Sequence, residues 1–303
     1  MITDELRAKD GFTAVERVVA GTLLEHQEGI RALSARAIAK EAHTAPSSVV
    51  RFCQRLGFVG YPEFREAWLD ELRYLRSAFT DIDVNHPFSP GDDTHTVAGG
   101  VSAVYVETIH DTMGLLEGAE LRRVAKAIDD AEHVVVFSSG VQAALATTFM
   151  DKMLRLGRVV TVQSQGDQAY YQARAMRKGD VLFVISYSGE TVQGLRCAAA
   201  ARRQGAHVVA ITSFGHNRLI ELATAVLRVS TRERLVEKVG DYAMNVSTLL
   251  LLDLVYSEVF QLAHEDNLRR RTVLGHDYER RRYSSNPILQ DQLDDVRASS
   301  PGR

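Results

Sequence analysis

Through about residue 79 the apolar positions recur at helical spacing and no stretch alternates like a strand. Thr13 precedes AVERVVAGTLLEH, where Val15, Val18, Val19 and Leu23 form a stripe that needs a partner. Ser34 suits the N-cap of ARAIAKEA, with Ile38 and Ala42 on one face. After a short break, Pro46 opens SSVVRFCQRLG and Gly57 stops it. Its core-capable positions are Val49, Val50, Phe52, Cys53 and Leu56. A further helix from about Pro62 to Phe79 carries Phe64, Trp68, Leu72 and Leu75 on a repeating face.

From residue 80 to 100 the pattern lapses into a stretch with two prolines and three glycines, read as an interdomain linker. Helical spacing resumes from Val101 to Leu116, with Val101, Val104, Thr108 and Met113 on one side, and again from Glu120 to Asp129. Short apolar runs then alternate with helices, which predicts a parallel, doubly wound α/β sheet. The five candidate strands are His133–Phe137, Arg158–Gln163, Val181–Ile185, His207–Ile211 and Ala225–Val229, with helices at Ala143–Arg155 and Thr191–Gln204 among those between. A long apolar helix, Asp241 to Leu262, closes the domain by burial or as an oligomer interface. The expected domains are therefore a helical unit (1–79), a linker (80–100), an α/β unit (101–264) and a charged, partly disordered tail (265–303). The tail begins as a helical extension and carries Arg269–Arg271 and Arg280–Arg282.

Composition adds limits. A 45% hydrophobic, 25% charged chain of 303 residues suits two folded domains, and its net charge of −3 gives no global pull toward nucleic acid or membrane. Locally the balance differs, because residues 31–60 hold five Lys/Arg (Arg31, Arg36, Lys40, Arg51, Arg55) against one acid, Glu41. Such a patch on a tight helix pair suits a phosphate backbone, though an αα-hairpin with a solvated basic face has the same pattern. The two cysteines, the scattered histidines and the N-terminal MITDELRAKD lead to an expectation of a cytoplasmic protein without metal or cofactor. No run reads as a membrane span, the apolar stretch at Leu249–Val255 being broken by Asp253.

The chemistry concentrates in VLFVISYSGET. A strand buried on both faces ends at Ser186, Ser188, Gly189 and Thr191, where a helix begins. Three hydroxyls, a glycine that admits close approach and the free amides of the helix make an anion-binding loop, one that needs no lysine. An ordinary turn with a serine cap would look similar.

SSVVRFCQRLGFVGYPEF, ISYSGET and FMDKMLRLGRVV together resemble the RpiR family of bacterial transcriptional regulators, in which a helix-turn-helix domain precedes a SIS (sugar isomerase) domain that senses a phosphosugar. The resemblance implies an all-α DNA-binding domain and a five-stranded sheet in flavodoxin-like order, with Ser139, Gln142, Ser186, Ser188, Gly189 and Thr191 around the ligand. Ser138 and Gln142 depart from the pattern, which has glycine and a phosphate-contacting serine there. Arg36, Lys40, Ser47, Ser48, Arg51, Gln54 and Arg55 are the expected DNA-binding residues. Thr44 is expected to cap the recognition helix, because Ala45-Pro46 replaces the family's Ser-Glu. A palindromic operator, a sugar-phosphate effector and a homodimer or homotetramer are implied as partners, with no membrane. The rival is a sugar-phosphate isomerase using Glu190, His216, Glu221 or Glu237, and a weaker third reading is a metabolite-binding protein acting on another protein through its tail.

Overall fold

The computed structural model describes residues 2–8, 11–77 and 82–279. Five helices form the first unit: α1 (Ile2–Ala8), α2 (Ala14–His26), α3 (Ala35–Glu41), α4 (Pro46–Arg55) and α5 (Tyr61–Ser77), with a 3-10 turn at Gln27–Ala32. Their shared core contains Leu23, Ile38, Val49, Phe52, Phe64 and Trp68, all essentially inaccessible. Thr13 and Glu16 make a reciprocal capping box at the start of α2. Glu71 of α5, buried, accepts the Ile2 and Thr3 amides at 2.7 Å each and so caps α1 from a distant helix.

The stripe on α2 is only partly a core stripe. Val19 and Leu23 are buried, whereas Val15 and Val18 face outward at 46% and 51% exposure. Leu75, Phe79 and Arg280–Arg282 lie outside the described side chains.

The second unit begins with α6 (Thr94–Gly114) and α7 (Gly118–Asp130) and continues as β1 (Val134–Phe137), α8 (Val141–Leu154), β2 (Val160–Gln163), α9 (Gly166–Ala175), β3 (Val181–Ile185), α10 (Val192–Arg203), β4 (His207–Ser213), α11 (Arg218–Leu222) and β5 (Ala225–Val229). It ends with α12 (Tyr242–Leu262) and α13 (His264–Glu279). All five strands are parallel in the order β2-β1-β3-β4-β5.

Alternation along β3 divides the core. Val181, Phe183 and Ile185 join the side covered by α7, α8 and α12, while Leu182 and Val184 join the side covered by α9, α10 and α11. By length and composition α12 is the one described helix able to cross a membrane, yet its Leu251, Leu252, Val255 and Val259 are core residues against the sheet. It is the central helix of the domain. Met113, placed inward by its spacing, is 45% exposed.

Two boundaries differ from the expectation. The tail's first part is the regular helix α13. The linker is shorter than 80–100, since α6 starts at Thr94 with Asp93 as N-cap, its side chain accepting the Thr96 amide at 2.7 Å. The glycines that broke the pattern belong to this helix. A Cβ on Gly100 would sit 2.1 Å from the Pro87 carbonyl oxygen, so the chain before α6 folds directly across it, whereas a Cβ on Gly99 would meet nothing within 4 Å.

Opposite effects follow from these adjacent positions. Gly99→Ala is expected to stabilise the domain by about 0.5–1 kcal/mol through helix propensity. Gly100→Ala is expected to destabilise it by about 1–3 kcal/mol through steric conflict. Denaturant midpoints of the two variants check both signs.

Candidate functional site

The loops leaving β1 and β3 are adjacent, and the helices that follow them, α8 and α10, lie on opposite faces of the sheet. Between them opens a cleft of about 210 Å³. Ser139, Gln142, Ser186, Ser188 and Thr191 line it, so five of the six ligand residues expected from the sequence converge. Gly189, the sixth, is buried behind the cleft wall with φ +67° and shapes the turn. A Cβ there would lie 2.1 Å from Asn217 Oδ1. Both backbone and space demand glycine.

The hydroxyls are held in place by one another. Ser186 Oγ and Thr191 Oγ1 are 2.8 Å apart, and Ser188 Oγ accepts the Glu190 amide at 3.2 Å. Ser138, at the position where a glycine is usual, is buried and donates to the Ile185 carbonyl at 3.3 Å, joining the two loops. Gln142 Nε2 donates to Asn245 Oδ1 at 2.9 Å. Its amide reaches the cleft wall but is already committed to α12.

The sequence did not anticipate the opposite wall. Leu235, Lys238, Asp241 and Met244, from the segment between β5 and α12 and the start of α12, complete the lining. Lys238 makes ion pairs with Asp241 (2.5 Å) and Glu233 (3.6 Å) and lies 5.7 Å from the centre of the Tyr187 ring. The expectation of a loop without a lysine is therefore corrected: a cation faces the hydroxyls from another element. No local motif marks Lys238, because about fifty residues separate it from the loop.

None of Glu190, His216, Glu221 and Glu237 lines the cleft. Glu190 accepts the Arg218 amide at 2.8 Å, His216 and Glu221 pair with each other, and Glu237 pairs with Arg234. These are surface and loop contacts.

In the helical unit α3 and α4 are joined by a tight break in which His43 has φ +48°. Thr44 does not cap α4. Ala45 occupies the N-cap with no side-chain bond and Pro46 takes the first turn, leaving the amides at that end without a side-chain cap. The other end closes as a Schellman motif, with Phe58 N–H to Cys53 O and Gly57 N–H to Gln54 O at 3.1 and 3.0 Å.

Arg36, Lys40, Ser47, Arg51, Gln54 and Arg55 are exposed and Ser48 is exposed beside them at the start of α4. Arg36, Lys40 and Arg51 make no ion pair with any described residue, and Glu41 is engaged by His26. Arg55 and Gln54 have other work. Arg55 pairs with Glu16 at 2.6 Å, donates to the Gly11 carbonyl at 2.8 Å and lies over the Phe12 ring, and Gln54 donates to the Val59 carbonyl. The Thr13 amide, and beyond it Arg55, hold the Glu16 carboxyl below the usual carboxylate range.

Comparison with known proteins agrees with this division. Residues 5–73 match the model of the rpiR-family helix-turn-helix domain, and residues 127–257 match the SIS domain. The fold is similar to that of the Vibrio vulnificus NanR protein complexed with ManNAc-6P, at 22% identity over 94% of this chain and 100% of that one, with a TM-score of 0.60. The second unit is similar to the sugar isomerase domain of an RpiR transcription factor from Sphaerobacter thermophilus (20% identity, 59% and 98% covered, TM-score 0.53). It also resembles E. coli CFT073 c3406 in complex with arabinose 5-phosphate (18%, 62% and 100%, 0.51). With an rpiR-type helix-turn-helix unit joined to a SIS unit, the chain belongs to the RpiR family of transcription regulators.

Proposed function

We propose that this regulator binds operator DNA through α3 and α4 and that a sugar phosphate in the SIS cleft modulates its affinity. The observation that carries the reading is the cleft itself, where three hydroxyls, the start of α10 and Lys238 surround one anion-sized space. Neutral hydroxyls and a lysine already paired with carboxylates suit reversible binding. Two solved relatives, complexed with ManNAc-6P and with arabinose 5-phosphate, support the same ligand class.

On the DNA side Arg51 is the base- or phosphate-contacting residue of the recognition helix, with Ser47 and Ser48 at its uncapped start and Arg36 and Lys40 on the backbone. The open amides at that start suit a phosphate as well. Arg55 and Gln54, expected at the interface from sequence, act within the domain instead. A homodimer or homotetramer reading a palindromic operator would space two such helices by about one turn of DNA, and the setting is the cytoplasm, where both ligands occur. An isomerase would need a free acid–base group at the cleft. The carboxylate lining it, Asp241, is held by Lys238.

Arg51→Ala is expected to weaken operator binding by about 1–3 kcal/mol without changing the melting temperature, whereas Arg55→Ala lowers the stability of the helical unit by about 1 kcal/mol through loss of its contacts to Glu16 and Gly11. Fluorescence anisotropy at several salt concentrations and thermal melts separate the two. If Arg51→Ala flattens the salt dependence by about one phosphate's worth, the residue holds backbone rather than bases.

Ser188→Ala is expected to reduce phosphosugar affinity about tenfold or more, the loss of one hydrogen bond to a charged group. Calorimetry with glucose 6-phosphate and arabinose 5-phosphate measures it, and equal affinity in wild type and variant would remove the loop from the site.

A further inference from the structure

The segment before α6 and the segment before α12 are far apart in sequence yet bonded to one another. Arg234 donates its amide to Asn85 Oδ1 at 2.7 Å, Asn85 Nδ2 donates to the Arg232 carbonyl at 3.4 Å, and the Val239 amide donates to the Asn85 carbonyl at 2.9 Å. One side chain and one peptide thus hold both ends of residues 232–239. Next to Asn85, Val84 is buried against Val104 and Ala243, with Tyr242 packed beside it. The chain between the two domains is therefore fastened to the wall of the cleft, contrary to the free hinge that its composition suggested.

That wall contains Lys238. Its partners differ in freedom: the Glu233 side chain is fully buried and accepts the Ala243 and Met244 amides at 2.7 and 3.1 Å, whereas the Asp241 side chain is 47% exposed and can turn to water. Tyr187, from the hydroxyl loop, donates its phenolic O–H to the Glu233 carbonyl at 2.7 Å. The anion loop, the lysine segment and Asn85 form one continuous network. Leu235 lines the same cleft at 65% exposure, so movement of the segment over an occupant would bury apolar surface.

Resting on the sugar-phosphate reading above, we infer that Lys238 is a further ligand-binding residue and that its segment is the relay to the DNA-binding unit. A phosphate of about −1.5 to −2 charge competes for the ammonium with the single-charged Asp241. Lys238 turns from Asp241 to the phosphate, the segment from 234 to 241 shifts, and Asn85 carries that shift into the interdomain chain. Ligand then alters DNA affinity to the extent that it favours one arrangement of this segment over the other. Lys238 binds; Asn85 is a positioning residue that touches neither ligand nor DNA.

The test uses the full chain, a duplex covering the DNA upstream of its own reading frame, and glucose 6-phosphate and arabinose 5-phosphate as probes, with inorganic phosphate and glucose as controls. Wild-type operator affinity is expected to change by about 5- to 150-fold on saturation with an effective phosphosugar. Lys238→Met should lose about tenfold or more in phosphosugar affinity, with Lys238→Arg recovering part of it. Asn85→Ala should keep ligand affinity and ligand-free operator affinity within about twofold of wild type while the ligand's effect on operator affinity falls below about twofold. A merely structural asparagine would not separate these quantities.

Hydrogen exchange on the wild type gives a readout that does not depend on the variant folding: phosphosugar should change protection at residues 83–88 and 232–241 together. Full coupling in a folded Asn85→Ala, or exchange changes confined to 186–194, overturns the relay, and an unchanged ligand affinity in Lys238→Met overturns the binding role. Absence of any ligand effect in wild type overturns the relay and the regulator reading together, so the two failures are told apart.

Discussion

Covering a parallel sheet on both faces forces a divergence somewhere along its carboxyl edge, and here it falls between β1 and β3. Strand β3 is buried throughout, so nothing polar can be placed along it. The chain's first freedom to present polar groups comes at Ser186, where α10 turns away to one side and α8 to the other. The amides at the start of α10 face the gap, and an anion is what such amides accommodate. Chemistry at this edge follows from how the sheet is packed. The loop residues then decide which anion fits and how tightly.

A comparable constraint shapes the helical unit. Its core is complete without α3 or α4 exposing apolar surface, so the basic residues on those helices are distributed by structure as much as by DNA. Arg55 faces the side where α2 begins and is used to tie that helix's capping box to α4. Arg36, Lys40 and Arg51 pair with none of the described carboxylates. A count of positive charge between residues 31 and 60 treats all five as equal. Only the packing of α2 against α4 separates the cations that hold the domain from those left to meet a phosphate.

Much of the architecture was legible in the sequence because its signals are local. Buried strands such as Val181–Ile185 read as unbroken apolar runs, and Thr13, Ser34 and Gly57 mark helix ends by their own chemistry. The hydroxyl loop was legible for the same reason. Lys238 was not, since its place opposite Ser188 depends on the whole path from β3 through β5 and back to α12. Gly99 and Gly100 misled for a related reason: glycines in a helix look like a linker until Pro87 is seen lying across one of them. Thr44 is the smaller case, a good capping residue displaced because Pro46 already fixes the first turn and puts Ala45 at the cap.

The interdomain chain shows why composition alone misjudges flexibility. Proline, glycine and aspartate resist regular structure, yet they do not resist being held by a neighbour. Asp83 accepts the Asn85 amide at 2.9 Å, closing a local turn. Burial raises the affinity of the Asp83 carboxyl for its proton, and the hydrogen bonds from Asn85 and His86 outweigh it, leaving the group below its ordinary range. That turn presents both the side chain and the carbonyl of Asn85 to the segment above the cleft. A mobile tether would average out any displacement produced by ligand before it reached the DNA-binding unit, whereas a short irregular segment fastened at Val84 and Asn85 can have two discrete arrangements. Coupling between distant sites requires such an element.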